Sequence, residues 1–172
     1  MADAAQIKKS FERNAKALSL RPSIGQGTAI TKVRVRDGLT CDIEDGDWKL
    51  TVDMDKVSGG EAAGPDPGVF GRAALGSCLA IGYSLWAAKL DVPILAVEVE
   101  IHADYDARGM YGVADLPAGW TGLRYTVRVK SPAPEADVLR VLDEADAHSP
   151  LLDDFSRALK IDRQVRITTA KE

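Results

Sequence analysis

Sixteen uncharged residues, Ala73 to Ala88, lie between Arg72 and Lys89 and constrain the fold more than any other segment. The segment is rich in Ala and Leu and is too long for a strand, so it predicts a helix. It falls short of the run of about 18 or more apolar residues that marks a membrane span, and Arg72 interrupts its start. We therefore predict a helix buried inside a globular domain and no membrane partner.

The composition and charge of the chain are those of an ordinary soluble protein. Its 172 residues are 45% hydrophobic and 28% charged, which suits one domain with a core of its own. The net charge is −4 and no basic patch occurs, which argues against nucleic acid as a partner, because phosphate binding needs a basic surface. His102 and His148 have no metal-ligand spacing with the cysteines, and we expect neither a metal nor another cofactor.

The sequence has two cysteines, Cys41 and Cys78. They form no CxxC motif, which argues against a disulfide framework. No signal peptide precedes them, so we expect a cytoplasmic protein whose thiols stay reduced. Cys41 shares one strand face with Leu39 and Ile43, and we interpret it as a core thiol.

Residues 1–20 predict an amphipathic helix ahead of a single domain that comprises residues 21–172. Ile7, Phe11 and Leu18 fall on one helical stripe. That stripe docks either on the chain's own fold or on a second copy, and the sequence leaves both open. A central helix that is apolar on all sides must be covered all round, so we predict an obligate homodimer.

Strands flank the central helix on both sides. Three strands are predicted within residues 29–54, with a turn at Asp37-Gly38, and they form an antiparallel meander. A loop rich in Gly and Pro then leads into the central helix. Beyond that helix, alternating residues predict two further strands at 94–105 and 123–130.

Two helices and a short strand are predicted at the C-terminal end. The first helix begins near Pro134, and the second begins with Ser149 as its N-cap and Pro150 in the first helical position. Residues 165–168 predict the last strand. The second helix is expected to bury the stripe Leu151, Phe155 and Leu159.

Local sequence allows two interpretations of Cys78. Its row on the helix surface holds Ala74 and Gly82, and such small residues favour a close helix crossing with Cys78 as a core thiol. A reactive thiol instead needs a nearby cation that stabilises the thiolate. The helix N-terminus near Pro67 is about 16 Å away, and Arg72 lies about 120° around the helix. A cation would have to come from another segment.

Two segments, together with the order of elements, resemble the OsmC/Ohr family of osmotically inducible and organic-hydroperoxide-resistance proteins. They read GPDPGVFGRAALGSCLAIGYSLWAAKLDV and DEADAHSPLLDDFSRAL, and the resemblance extends over residues 29–169. It implies an α+β fold, with an antiparallel β-meander, a long buried central helix, further strands and two C-terminal helices, assembled as an intertwined dimer. Family members are thiol-dependent peroxidases in which a helix cysteine attacks the peroxide and a second cysteine resolves the sulfenic acid.

The resemblance assigns roles to individual positions of this chain. Cys78 corresponds to the peroxidatic cysteine, and Ser149 stands where the resolving cysteine is expected but cannot form that disulfide. The family's carboxylate is expected after the proline that begins the central helix, where this chain has Gly68, with Asp66 as a candidate substitute. Lys56 is the candidate for the activating arginine, although it lacks the bidentate fork of a guanidinium.

Two functions are therefore compatible with the sequence. The first is an OsmC-like thiol peroxidase that reduces organic hydroperoxides through Cys78, with an external thiol as the reductant that resolves the sulfenic acid. The alternative is a degenerate member of the family without peroxidase activity, which binds a small apolar ligand or has a structural role. The cysteine favours the first function, and the altered positions 56, 68 and 149 favour the second.

Overall fold

The computed structural model describes residues 3–169 and has the mixed α+β architecture that the sequence predicts. A 3₁₀ turn, Pro22–Gly25, follows the first helix. The helices are α1 (Ala4–Leu20), α2 (Pro67–Lys89), α3 (Ala107–Met110), α4 (Glu135–Ala147) and α5 (Pro150–Ser156). The strands are β1 (Lys32–Asp37), β2 (Thr40–Asp45), β3 (Trp48–Val52), β4 (Ala96–Tyr105) and β5 (Trp120–Lys130).

The first sheet is the antiparallel meander β1-β2-β3, as predicted. Gly38 and Gly46 form its two turns with positive φ angles, which cost glycine little. The strand register brings one set of apolar side chains to the same side of the sheet, and we call this set the meander face. It comprises Val33, Val35, Cys41, Ile43, Leu50 and Val52.

The second sheet is the antiparallel pair β4-β5, which covers one side of α2. Alternate residues of β4, among them Val97, Val99 and Ile101, pack against the core, whereas Glu98 and Glu100 point outward and pair with an arginine of β5. This division is the one that the alternation of the sequence predicts. Helix α2 thus packs on the apolar side of this sheet.

Helix α2 has the length and composition of a membrane span, with a mean hydropathy of 1.2 over eighteen residues. In this fold it is the core helix, and Leu75, Leu79 and Tyr83 are fully buried together with Val141 of α4. The crossing with α4 is close at Gly82, where an added Cβ would lie 3.8 Å from the Cβ of Ala145. The small residues of α2 therefore serve close packing, as predicted.

Helix α1 docks on its own chain. The ring of Phe11 meets that of Trp86 edge-on, with 5.6 Å between the centroids. The Lys89 ammonium lies 3.5 Å from the Trp86 ring centroid and 5.0 Å from that of Phe11. The sequence leaves open whether the stripe docks on the same chain or on a second copy. Phe11 packs on its own chain, whereas Leu18 stays partly exposed.

The single chain leaves two apolar surfaces uncovered. None of β1–β3 packs extensively on a helix or on the β4-β5 sheet, and Val33 and Val35 are 61% and 62% exposed. Cys41 is for this reason half-buried, and its prediction as a core thiol is not met within one chain. The side of α2 that faces away from β4 and α4 is also exposed, at Ile81 and Leu85, so α2 is not buried all round.

The predictions of a buried stripe at Phe155 and Leu159 and of a last strand at residues 165–168 are wrong for the single chain. Helix α5 ends at Ser156, which leaves Leu159 outside it, and Phe155 and Leu159 are exposed rather than buried. Residues 165–168 form no strand within the described part of the chain, because no neighbouring strand supplies the ladder of hydrogen bonds that a strand requires. Apolar periodicity alone does not secure an element without a surface to pack on.

Candidate active site

The candidate active site lies where α5 begins against the middle of α2. The Cys78 Sγ and Ser149 Oγ atoms are 3.6 Å apart, within hydrogen-bonding distance for sulfur. Cys78 is half-buried, and Ser149 is 5% exposed. The structure therefore brings together the two residues that the family resemblance pairs, although 71 positions separate them in sequence.

Ser149 is held in place by the ends of two helices. It is the N-cap of α5, and its Oγ accepts a hydrogen bond from the Leu152 amide at 3.4 Å. Its own amide donates to the carbonyl oxygen of Asp146, 3.2 Å away, as α4 ends. Pro150 occupies the first helical position, where its missing N–H is not needed. The local sequence thus turns the hydroxyl toward α2.

A half-buried carboxylate, Asp146, joins the end of α4 to the core. The hydroxyls of Tyr83 in α2 and Tyr125 in β5 both donate to Asp146, each over 2.8 Å. Burial, with the neighbouring Asp146 carboxylate, raises the pKa of Tyr125 to about 12 and raises the pKa of Tyr83 further. Both hydroxyls therefore stay protonated and serve as donors at neutral pH. No sequence motif signals this arrangement, because its three members come from three elements.

The two candidates for an activating shell make no hydrogen bond to Cys78 among the described residues. Lys56 is exposed in the loop after β3, and it makes no ion pair within the described residues. Asp66 is the N-cap of α2, and its Oδ1 accepts a hydrogen bond from the Val69 amide at 2.9 Å. A Cβ at Gly68 would lie 2.9 Å from that same oxygen and 3.1 Å from Arg72 Nη1. A side chain at position 68 would therefore crowd the guanidinium of Arg72.

Arg72 belongs to a cavity that the sequence does not predict. The cavity has a volume of about 730 Å³, and Arg72 is the one Lys or Arg among its described lining residues. No carboxylate of residues 3–169 lies within ion-pair distance of its guanidinium. The walls include Met54, Ile101, Met110, Tyr111 and Trp120. The spacing of Gly68 and Arg72, four residues apart on one helix, is the sequence signal that points to this contact.

Trp120 lines this cavity and also contacts the C-terminal end of α5. Its indole stacks on Phe155 of α5, with ring centroids 5.8 Å apart. On its other side it approaches α2 at Gly71, where an added Cβ would lie only 2.9 Å from a ring atom. Glycine is required there, since any side chain would push the ring away. Arg72 and Cys78 thus belong to neighbouring but different environments along α2.

The loop that precedes α2 is fixed by a buried carboxylate of its own. Asp53, 1% exposed, accepts hydrogen bonds from the amides of Met54, Glu61 and Ala63 and from the Thr40 hydroxyl. These donors, the Ala63 amide above all, lower the pKa of Asp53 below its ordinary value. The loop that carries Lys56 is therefore anchored at the edge of the meander and not at Cys78.

The histidines have structural partners instead of a metal or a triad. His148 Nδ1 lies 2.7 Å from the Glu144 carbonyl oxygen, and its ring packs on Trp86 at 4.6 Å between centroids. His102 pairs with Glu100 over 2.9 Å on the exposed side of β4. Within the described residues no group of His, Cys, Asp and Glu could hold a metal. The Asp146 carboxylate binds two tyrosines and the His148 ring binds a carbonyl, so the described residues lack the acid–histidine–serine relay of a triad.

Chemically, the site offers one thiol and one hydroxyl. A thiolate at Cys78 could act as a nucleophile, and the Ser149 hydroxyl could donate a hydrogen bond to it. The other thiol, Cys41, lies in the meander, where its Sγ is 3.8 Å from the Leu39 carbonyl oxygen. The chain presents no second cysteine to Cys78.

Comparison with known proteins shows which family the sequence matches. The sequence model of the family described as OsmC-like protein matches residues 59–163. A search of curated proteins finds no match. Solved structures share the fold at low sequence identity, among them an OsmC-like protein from Mycoplasma pneumoniae, with 14% identity, a TM-score of 0.65, and coverage of 76% of this chain and 89% of that one.

Two other structures agree with this. An organic hydroperoxide resistance protein OsmC from Legionella pneumophila has 17% identity and a TM-score of 0.54, with 75% of this chain and 89% of that chain covered. An OsmC-like protein from Vibrio cholerae has 12% identity and a TM-score of 0.57, with 75% and 94% covered. The matched region begins after the meander in the sequence model and includes Cys78 and Ser149.

Proposed function

Since the chain belongs to the OsmC-like protein family, we propose that it is a cytoplasmic thiol-dependent peroxidase that reduces organic hydroperoxides through Cys78. One observation carries the proposal. The residue at the resolving position, Ser149, lies against the sulfur of the residue at the peroxidatic position, Cys78. The Legionella pneumophila relative is named for organic hydroperoxide resistance, which supports the substrate class.

The proposed reaction runs in two stages with one cysteine. The Cys78 thiolate bonds to the terminal oxygen of ROOH, the O–O bond breaks, and RO⁻ leaves and takes a proton from water. The sulfur, oxidised by two electrons, is now a sulfenic acid. One external thiol then displaces water to form a mixed disulfide, and a second thiol releases Cys78 and leaves as the oxidised disulfide. Ser149 forms no bond to sulfur in these displacements, because an alcohol cannot form a disulfide.

A homodimer is part of the proposal. The meander face and the exposed side of α2 are apolar surfaces of the kind that a second copy covers. No cation of the described residues makes a hydrogen bond to the Cys78 sulfur within its own chain. A second copy would also be the source of that cation, and Lys56, exposed and without an ion pair, is our candidate, with Asp66 as its carboxylate.

The test combines turnover with thiol reactivity. Purified protein is given an organic hydroperoxide and a small dithiol, and peroxide consumption is followed. Cys78→Ser should abolish turnover, whereas the matched control Cys41→Ser should retain it. The pH midpoint of Cys78 alkylation should lie below the model-thiol value of about 8.5. Turnover that survives Cys78→Ser, or a midpoint at or above that value, would overturn the proposal.

A second experiment uses the resolving position itself. Ser149→Cys should allow an internal disulfide with Cys78 after one turnover, because the two side-chain atoms already lie 3.6 Å apart. Non-reducing peptide mapping of the oxidised variant reads out the link. In the unmodified protein the same mapping should find sulfenic acid or a mixed disulfide at Cys78, and a good yield of Cys41–Cys78 disulfide would contradict the assigned roles.

The cavity around Arg72 favours a second candidate function. A cavity of about 730 Å³ with aromatic and methionine walls, lined also by Arg72 and by Asp55, Asp66 and Asp106, suits a small ligand with an apolar body and a polar group. In this alternative the chain is a degenerate family member without peroxidase activity. It predicts slow alkylation of Cys78, no turnover above that of free thiol, and ligand binding that Arg72→Met alters and Cys78→Ser does not.

A further inference from the structure

We infer that Ser149 is a catalytic residue, whose hydroxyl donates a hydrogen bond to the Cys78 thiolate in the resting site. The inference rests on the proposed function and deepens it, since it gives the residue at the vacant resolving position a task of its own. That task is to hold the nucleophile in its charged form, not to trap the oxidised product.

The geometry leaves the hydroxyl hydrogen free for this bond. Ser149 Oγ accepts the Leu152 amide with one lone pair, so the hydroxyl hydrogen is not engaged in the cap. The Cys78 sulfur is the acceptor within reach, 3.6 Å away. A thiolate has no hydrogen to give, so once Cys78 is ionised the hydroxyl must be the donor.

Because Ser149 is buried, its hydroxyl needs a hydrogen-bond acceptor in addition to its role as the N-cap. A hydroxyl that is 95% buried and has no acceptor is costly, and the sulfur removes that cost. Capping alone does not require serine, because Asp and Asn cap a helix as well. Serine combines a cap with a donor, and an aspartate would combine the cap with a negative charge.

The charged groups on the elements around Cys78 are engaged elsewhere. Asp146 at the end of α4 accepts from two tyrosines, and His148 bonds to a carbonyl and packs on Trp86. On α5, Asp153 and Asp154 pair with Arg157. On α2, Arg72 faces the cavity. Among the described residues, Ser149 is therefore the polar side chain that bonds to the sulfur.

Two substitutions separate a donor from a cap. Ser149→Ala removes both, and Ser149→Asp keeps the cap but replaces the donor with a carboxylate. If Ser149 stabilises the thiolate, the alkylation midpoint of Cys78 should rise by about 0.5 to 1 pH unit in the alanine variant and further in the aspartate variant. If Ser149 only caps α5, the alanine variant should leave the midpoint unchanged, and the rise in the aspartate variant would come from its negative charge alone.

Ser149→Thr keeps both functions and should restore the midpoint to that of the unmodified protein. Helix content by circular dichroism and the alkylation of Cys41 are followed in all variants, so that a loss of fold is recognised. An unchanged midpoint in Ser149→Ala, or an aspartate variant that matches serine, overturns the inference. These readouts need no peroxidase turnover. Failure of the peroxidase assay with a shifted midpoint would therefore count against the proposed function alone.

Discussion

Helix α2 with β4, β5, α4 and α5, which we call the helical half, and the β-meander (β1–β3) bury their apolar residues to very different extents. Around α2, the side chains of Leu75, Leu79 and Tyr83 are fully enclosed by β4, β5 and α4. In the meander, Val33 and Val35 are mostly exposed, although they alternate with charged residues as regularly as any core strand does. The alternation of apolar and polar residues thus gives a buried core around α2 but leaves an exposed apolar surface on the meander.

The difference shows which parts of the chain are complete within one copy. Both cysteines are half-buried, but they fall on opposite sides of the division, because Cys78 lies on α2 and Cys41 on the meander face. The contact between Cys78 and Ser149 is built by the chain alone. The meander face is the open part, and a contiguous apolar surface of this kind marks an interaction site. Our proposal that a second copy covers it makes the two regions separately testable.

Leu79→Ala should have the largest effect on stability, about 2 to 5 kcal/mol, because Leu79 is fully buried and its loss leaves a cavity. Urea unfolding at fixed protein concentration measures the change. Leu50→Ala on the meander face is the matched control. In a monomer it should cost under about 1 kcal/mol, whereas in a dimer its cost should be larger and the midpoint should depend on protein concentration.

Val35→Asp should disrupt association with less effect on the helical half. A carboxylate on the meander face would be buried without a partner in the proposed dimer but stays hydrated in the monomer. Light scattering at micromolar concentration should give twice 18.5 kDa for the unmodified protein and 18.5 kDa for the variant. A stable mass of 18.5 kDa for the unmodified protein would rule out the obligate dimer, and the open face would then need another partner.

Much of the fold follows from local patterns. The apolar run without charges, the Pro at its start and the Ser-Pro pair at Ser149 place α2 and α5 because caps and prolines act within one turn. The alternation in β4 predicts which of its sides meets the core. These signals fail where packing is missing, and so the stripe of Phe155 and Leu159 does not extend α5.

The candidate site was predictable only in part. Cys78 and Ser149 were paired by family resemblance, since no physical rule links positions 71 residues apart. The tyrosines that hold Asp146, and the approach of Arg72 to Gly68, depend on tertiary packing and on side-chain rotamers. Sequence predicts which residues share a face of one element, but it does not say which faces of distant elements meet.

Asp53→Asn tests how the meander is joined to the helical half. The lowered pKa of Asp53 means that its carboxylate adds stability above the ordinary value of 3.8, and that this stability is lost as pH falls through the lowered pKa. The variant should therefore be less stable than the unmodified protein at pH 7, and the gap should close in acid. Asp47→Asn, in an exposed turn, is the control. Urea midpoints between pH 2 and 7 that stay parallel would contradict the assigned role of Asp53.

Tyr125→Phe should have the smallest effect and should stay within the helical half. It removes one of two donors to the Asp146 carboxylate. The free energy of unfolding should fall by only about 1 to 2 kcal/mol, because Tyr83 still donates to that carboxylate.

The effect of Tyr125→Phe should depend on pH. The pKa of Tyr125 is raised to about 12 from 10.0, so the hydroxyl stabilises the fold below pH 10 and this contribution is lost as pH rises through 12. The gap between variant and unmodified protein, measured by urea unfolding, should therefore narrow above pH 10. Tyr105→Phe, mostly exposed on β4, should change nothing. Because the backbone carbonyl oxygen of Asp146 accepts the Ser149 amide, a shift of Asp146 should change the alkylation of Cys78 modestly while that of Cys41 stays constant. Equal changes at both thiols would mean that the two regions are not independent after all.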